Sequence, residues 1–295
     1  MAQKVPTHDL HVEGLFSVAG KVCLVTGGGT GIGLMISQAF AANGAKVYIT
    51  SRTKEVLVRS AEVHSHGGDH KGEIIDAGVC DVTKKDDIAA LYERIAAKED
   101  RLDVLVANAG IPGPKADPAG ETDANKLKER LWPNENVQDW DDVHRADVTS
   151  IYFTTVAFLP LLQKSNEIMP MNASVITITS MSGLIRHAQG HFAYNAAKGG
   201  AIQLTKLMAS EFSEVCRVNS IAPGYFPSQM TEKKSDEHNK SQLPDENIQK
   251  RGHVPTGRAG SDREMAQAAL FLAVNNYVQG QIISVDGGVL NKLAS

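Results

Sequence analysis

Tyr194 and Lys198 stand four residues apart in a helix-like stretch, residues 192–212, and that spacing sets a phenol and an ammonium one turn apart on one face. A phenol with a pKa of about 10 is a poor acid or base at neutral pH, but a neighbouring ammonium favours phenolate and lowers that value. The pair is therefore fitted to pass a proton to or from an alcohol oxygen. Upstream, the β-branched run 174–179 ends in Ser180-Met181-Ser182-Gly183, which places a hydroxyl where it can hold a substrate carbonyl. Helices carry Tyr-x-x-x-Lys by chance, so the rest of the chain must supply a partner for this chemistry.

That partner is suggested near the start. The apolar run 22–26 leads into Thr26-Gly27-Gly28-Gly29-Thr30-Gly31-Ile32-Gly33 and then into a helix-like stretch, 32–43. Glycines let backbone N–H groups approach a pyrophosphate, and a helix N-terminus adds partial positive charge. The spacing is T-G-x-x-x-G-x-G rather than G-x-G-x-x-G. A dinucleotide site reads the adenosine ribose about 20 residues beyond the glycines, with an acid for NAD or an arginine for the 2′-phosphate of NADP. Arg52 lies 19 residues after Gly33, and no acid occupies 49–54. Arg52 can fork onto a phosphate and Ser51 can add a hydrogen bond, so NADP(H) is the expected cofactor.

The elements that would position these groups alternate regularly. Strand-like runs at 22–26, 46–50, 73–80, 103–107, 174–179, 215–221 and 281–285 are separated by helical stretches at 32–43, 53–66, 84–98, 140–163, 192–212 and 262–273. Such alternation predicts an α/β fold: a Rossmann-type, doubly wound parallel sheet of about seven strands with helices on both faces. Ligands should gather beyond the carboxyl ends of the strands, where the motifs fall. Residues 1–20 read as an N-terminal extension, and 21–295 as a single dinucleotide-binding and catalytic domain. Within it, 111–139 reads as a solvated insertion containing a helix-like stretch at 125–130. The excursion 225–257, dense in charge at 232–240, reads as a mobile substrate lid.

Composition narrows the setting. A net charge of -4 and a pI near 6.2 give no footprint for nucleic acid or an anionic membrane. No apolar run reaches the length of a membrane span, and the first twelve residues lack the apolar core of a signal peptide. Cys23, Cys80 and Cys216 form no CxxC pair and read as buried free thiols in a reducing, cytoplasmic setting. His64, His66 and His70 read as a surface loop rather than a metal site, and no metal is expected. No G-x-S-x-G elbow supports a serine hydrolase.

Taken together, TGGGTGIG, the Asn108-Ala109-Gly110 turn, S-x-x-G at Ser180, YNAAK, Pro223-Gly224 and the terminal Val285-Asp286-Gly287-Gly288 resemble the short-chain dehydrogenase/reductases of the compact, single-domain branch, over essentially residues 20–290. The resemblance implies Tyr194 as acid/base, Ser180 (preferred over Ser182 by the S-x-x-G alignment) orienting the substrate oxygen, and Lys198 binding the nicotinamide ribose while lowering the Tyr194 pKa. It adds Asp81 at the adenine, Asn108 in the cofactor cleft, and Pro223, Phe226 and Ser228 beside the nicotinamide. The expected cofactor set is thus Gly27, Thr30, Gly31, Ile32, Gly33, Ser51, Arg52, Asp81, Asn108, Gly110, Tyr194, Lys198, Pro223, Gly224, Phe226 and Ser228. Frequent tetramers in the family imply a homo-oligomer, a dimer or a tetramer.

One position departs from the family pattern. Seven residues after Trp140, where the family usually has an Asn that holds a water linking the Lys to solvent, this chain has Asp147. An Asp keeps the main-chain carbonyl but loses the amide donors and brings a charge toward Lys198. An altered relay in a working enzyme is expected. The expected activity is hydride transfer between nicotinamide and a carbonyl/alcohol carbon of a small, largely apolar substrate, as an oxoacyl or polyketide-like ketoreductase, with reduction as the working direction. Met181, Leu184, Ile185, Tyr225, Phe226 and Met230 are its expected walls, and His187 and His191 lie near enough in sequence to touch it. A non-redox biosynthetic enzyme on the same scaffold and a catalytically silent NADP-binding subunit remain as alternatives.

Overall fold

The computed structural model describes residues 10–65, 72–118, 120–232 and 235–293. The extension's residues 1–9, His66 and His70, and part of the charged stretch 232–240 lie outside the described residues. A single turn, α1 (Val12–Leu15), precedes a seven-stranded sheet built from β1 (Val22–Thr26), β2 (Lys46–Thr50), β3 (Glu73–Asp76), β4 (Val104–Ala107), β5 (Ser174–Ile178), β6 (Arg217–Pro223) and β7 (Ile282–Val285). All pairings are parallel, in the order β3-β2-β1-β4-β5-β6-β7. The order reverses between β1 and β4, and a crevice opens at that switch beyond the carboxyl ends of the strands. β1, β4, β5 and β6 are buried along their whole length, as a sheet covered on both faces requires.

Two apolar layers hold the helices. α2 (Gly31–Ala42) and α11 (Asp262–Val274) pack one face through Phe40, Ile36, Met265 and Leu272. α4 (Lys85–Ala96), α7 (Ser150–Ile168) and α8 (Phe192–Glu211) pack the other through Leu91, Phe158, Leu162 and Ala201. α3 (Lys54–His64) packs beside β3. Cys23, Cys80 and Cys216 are all buried and free, as expected, and burial pushes the Cys80 and Cys216 thiols up to about 11 and about 12.

Three local differences from the sequence reading have clear causes. β3 ends at Asp76 rather than near residue 80. The Asp76 carboxylate accepts the Gly78 N–H at 2.7 Å, and Gly78 takes a left-handed φ of +90°, turning the chain out of the sheet. The long helix expected at 140–163 is α6 (Val137–His144) followed by a π-helical segment, Arg145–Thr149, and then α7. The insertion holds the exposed α5 (Ala124–Leu131), yet its front end is docked: Ala116 is buried and donates its N–H to the Gly190 carbonyl at 2.8 Å.

The excursion after β6 contains α9 (Gln229–Glu232) and α10 (Asp245–Gln249), whose Ile248 is fully buried. Its middle is fastened to α3. The Asn239 amide donates to the Ser60 hydroxyl at 2.8 Å and to the Val56 carbonyl at 3.1 Å, and the His238 carbonyl meets the His64 imidazole at 2.8 Å.

At the opposite, amino end of the sheet, Arg217 is fully buried and, among the described residues, forms no ion pair with a carboxylate. Its guanidinium donates to the carbonyls of Met171 (2.8 Å), Leu272 (2.9 Å) and Ala273 (3.1 Å), the last two from the final turn of α11. It thereby satisfies helix-end acceptors that no helical N–H can reach. Arg217→Ala is expected to lower stability by about 3 kcal/mol, because hydrogen bonds to a charged group are lost, although the Leu272 carbonyl keeps the Ser174 hydroxyl as a donor. Urea denaturation followed by circular dichroism measures this.

Candidate active site

The glycine turn is built by close approach. Gly27 has φ +64°, and a Cβ on Gly33 would fall 2.2 Å from the Gly27 carbonyl oxygen and 2.6 Å from the Asn108 amide nitrogen. Asn108 ties the turn to β4 by donating to the carbonyls of Thr26 (2.9 Å) and Gly27 (3.2 Å). The Thr26 hydroxyl in turn accepts the N–H groups of Asn108 (3.0 Å) and Ala109 (3.1 Å). Thr30 caps α2 by position, but its side chain makes no capping bond, so the first-turn N–H groups of a twelve-residue helix face the crevice without a side-chain acceptor. This cradle fits the pyrophosphate of a dinucleotide.

The crevice is one continuous cleft of about 980 Å³. Every residue expected to take part in catalysis or to bind the cofactor lines it, with the exception of Asp147. At one end Arg52 is exposed, while the Ser51 hydroxyl donates to the Thr53 carbonyl at 3.0 Å. Asp81 accepts the N–H and hydroxyl of Thr83 at 3.1 and 2.7 Å. Those bonds, with Lys84 and Arg52 nearby, outweigh burial and hold its carboxyl below the ordinary value. These groups would hold the adenosine end of NADP(H), with Arg52 on its 2′-phosphate. Pro223 and Gly224 close the other side, Phe226 is buried against Gly260, and Ser228 packs on Gly31.

The reactive end is assembled from three elements. Ser180 caps a 3-10 turn, Met181–Gly183, and its oxygen accepts the Ser182 N–H at 3.1 Å, leaving its proton free to donate. Gly183 lets that turn lie directly on the backbone of α8 at Lys198 and Gly199. Lys198 is buried and donates to the Ile178 carbonyl at 3.1 Å, with its ammonium 5.5 Å from the centre of the Tyr194 ring. Asp147 sits behind the cleft in the π-helical segment, fully buried. Its Oδ1 accepts the Ile111 N–H at 2.8 Å, and its Oδ2 lies 3.4 Å from the Lys198 ammonium without a hydrogen-bond partner. A Cβ on Gly110 would meet Oδ1 at 2.7 Å, so glycine there makes room for the carboxylate.

The electrostatics differ from the simple phenol–ammonium picture. Burial raises the Tyr194 pKa above its ordinary value; Asp147 adds to that, while Lys198 and the Ser180 hydroxyl pull the other way and do not cancel it. Burial likewise raises Asp147 against the pull of Lys198 and the Ile111 N–H. Burial would lower Lys198, but Asp147 and then Tyr194 raise it. At neutral pH the site therefore holds a protonated phenol beside an ammonium, poised as an acid.

Of the expected apolar walls, Met181, Tyr225, Phe226 and Met230 border the cleft. Leu184 and Ile185 do not, because the 3-10 turn carries the chain away and buries Ile185. His187 and His191 do line it, together with Lys115, Gln189, Arg251 and His253, which the sequence reading missed. No spacing marks these four, since separate loops deliver them. Among the described residues no cluster of His, Cys, Asp or Glu could hold a metal ion, and no helix is long and apolar enough to cross a membrane.

Residues 27–290 match the family model described as enoyl-(acyl carrier protein) reductase. The chain is 36% identical over 301 residues to the short-chain dehydrogenase/reductase PhomF of Diaporthe leptostromiformis, covering 97% of this chain and 96% of that protein. The chain belongs to the short-chain dehydrogenase/reductase family. The enzyme is also 33% identical over 277 residues to the 3-oxoacyl-[acyl-carrier-protein] reductase FabG of Thermotoga maritima, across 92% of this chain and 98% of that one. Among solved structures it superposes on the Pseudomonas aeruginosa RhlG/NADP active-site complex with a TM-score of 0.77 at 32% identity, over 93% of this chain and 98% of the other.

The enzyme's Asp147 separates two effects on pH dependence. Its charge helps push the Tyr194 phenol up, so Asp147→Asn is expected to lower the Tyr194 pKa. With Tyr194 as the proton donor, the role expected from the sequence, the alkaline fall in kcat should move to lower pH in the variant. A pH–rate profile for the two proteins reads the direction; a shift to higher pH would contradict the assignment.

Proposed function

We propose that this enzyme is an NADP(H)-dependent ketoreductase that converts a carbonyl of a small oxoacyl or polyketide-like compound to the alcohol. The observation that carries this reading is the meeting of Ser180, Tyr194 and Lys198 at one end of a cleft whose other end presents Arg52. NADPH, when bound, supplies the hydride. The Ser180 hydroxyl, its oxygen already engaged with the Ser182 N–H, donates to the substrate oxygen and polarises the carbonyl. Tyr194 passes its phenolic proton to that oxygen as charge develops there. Lys198, held by Ile178 and facing Asp147, keeps its position and its positive charge beside the phenolate that remains.

FabG of Thermotoga maritima and a Pseudomonas aeruginosa rhamnolipid-biosynthesis protein, both 33% identical to this chain, are 3-oxoacyl-[acyl-carrier-protein] reductases, which favours a 3-oxoacyl or related substrate. The same reading includes a homo-oligomer: Tyr152 on α7 and Leu207 on α8 are exposed apolar groups on the long helices. It also includes residence in a reducing, cytoplasmic compartment, supported by three free, buried thiols.

Tyr194→Phe is expected to cut NADPH-dependent reduction of 3-oxoacyl thioesters by a factor of about 10² to 10⁴ while leaving NADPH binding in place. Retained turnover in this variant would contradict the acid role. Arg52→Ala is expected to weaken NADPH binding by about 10- to 100-fold, the loss of a charge-assisted phosphate contact, and to leave NADH affinity nearly unchanged. Fluorescence titration with the two dinucleotides measures the contrast.

A further inference from the structure

We propose that the outer, substrate end of the cleft is an oxyanion-binding subsite, in which Lys115 and Arg251 receive a carboxylate or phosphate carried by the molecule being reduced. The proposal deepens the ketoreductase reading and rests on it. The apolar walls expected from sequence account for only part of this end; Lys115, His191, Tyr225, Arg251 and His253 border it as well.

Three separate segments bring these groups together. Lys115 comes from the docked front of the 111–139 insertion, where its chain passes over Gly190 with the Cε 3.3 Å from the position a Cβ would take. His191 immediately precedes the helix of Tyr194. Arg251 and His253 arrive from the excursion after β6. The Arg251 guanidinium lies 4.4 Å from the centre of the Tyr225 ring, and the Tyr225 hydroxyl is 3.0 Å from the His253 Nε2. The Gln189 amide donates to the same hydroxyl at 3.2 Å, so Tyr225 is fixed from both sides. His191 lies within electrostatic reach of both cations: burial, Lys115 and Arg251 hold its imidazole below the ordinary value, against a hydrogen bond to the Pro114 carbonyl. His191 is therefore neutral, its single N–H engaged by the Pro114 carbonyl, and it adds no positive charge of its own beside the two cations.

Charge balance favours an anion. Among the described residues, neither Lys115 nor Arg251 forms an ion pair with a carboxylate. Asp117 brings one carboxylate to the same rim, and two cations outnumber it. An uncompensated ammonium and guanidinium over a concave surface attract an anionic ligand, and a guanidinium stacked on a ring keeps its N–H fork free for two oxygens. Two sources share this chemistry: a carboxylate of a free oxo acid, and the phosphate of a pantetheine arm.

The test compares matched substrates on the NADPH-supplied enzyme. One arm sets oxo acids against their methyl esters; the other sets 3-oxoacyl pantetheine thioesters with the 4′-phosphate against those without it. Wild type is expected to prefer the charged member by about tenfold or more in kcat/KM in one arm, which identifies the source. In Lys115→Met/Arg251→Met that ratio should fall toward one, whereas Lys115→Arg should retain it. No charged preference in either arm, or a preference that survives the double substitution, overturns the proposal. Calorimetric binding of the same compounds to the NADP-loaded protein separates the two readings. Charge-dependent binding that the double variant loses, with no turnover of any compound, keeps the subsite and sinks the ketoreductase. Turnover without charge dependence does the reverse.

Discussion

The Lys198 ammonium is the point through which the catalytic end is held together. It is buried, and it touches three elements at once: the carbonyl of Ile178 at the end of β5, the Asp147 carboxylate in the π-helical segment, and the face of Tyr194 on its own helix. A buried cation is costly unless it is paired and hydrogen-bonded, so the sheet, the helix interruption and the glycine at 110 must keep their relative places. Asp147 is equally constrained, since one oxygen accepts the Ile111 N–H and the other faces only Lys198. An amide, as the family usually has, would satisfy the same N–H without bringing charge. The carboxylate instead adds to burial in keeping the Tyr194 phenol protonated and raises the pKa of the Lys198 ammonium.

The cofactor end works differently. It depends on backbone rather than on charge: glycines that permit contact between carbonyl and helix, the Thr26 hydroxyl and the Asn108 amide bolting β1 to β4, and a helix start without a side-chain acceptor. Arg52, at the rim, supplies positive charge there beside the Asp81 carboxylate. The two ends thus use distinct physics within one cleft.

Much of this was legible in the residues. Strands and helices were readable to within a few positions because apolar runs bounded by glycine leave little choice, and the motifs fell at the strand ends where a parallel sheet must place them. The exceptions share a cause. The end of β3 is set by an Asx turn at Asp76 and Gly78, which a run of β-branched residues conceals. Asp147 could be read as a departure, but its bond to the Ile111 N–H joins residues 36 apart in sequence. Lys115, Arg251 and His253 arrive from loops without periodicity, and only tertiary contact shows that they face one space. The direction of the Tyr194 shift also escaped the sequence, because desolvation depends on what covers the phenol.

The hydrogen bonds of Asn239 to Ser60 and Val56 join the middle of the long excursion to the nucleotide half of the fold. Arg251 and His253 lie beyond that clamp, at the opposite mouth. Changes in the distal part can therefore redraw which molecules are accepted without loosening the grip on the dinucleotide. A lineage could retune its chemistry toward new metabolites through a handful of side chains there, with the redox engine left intact.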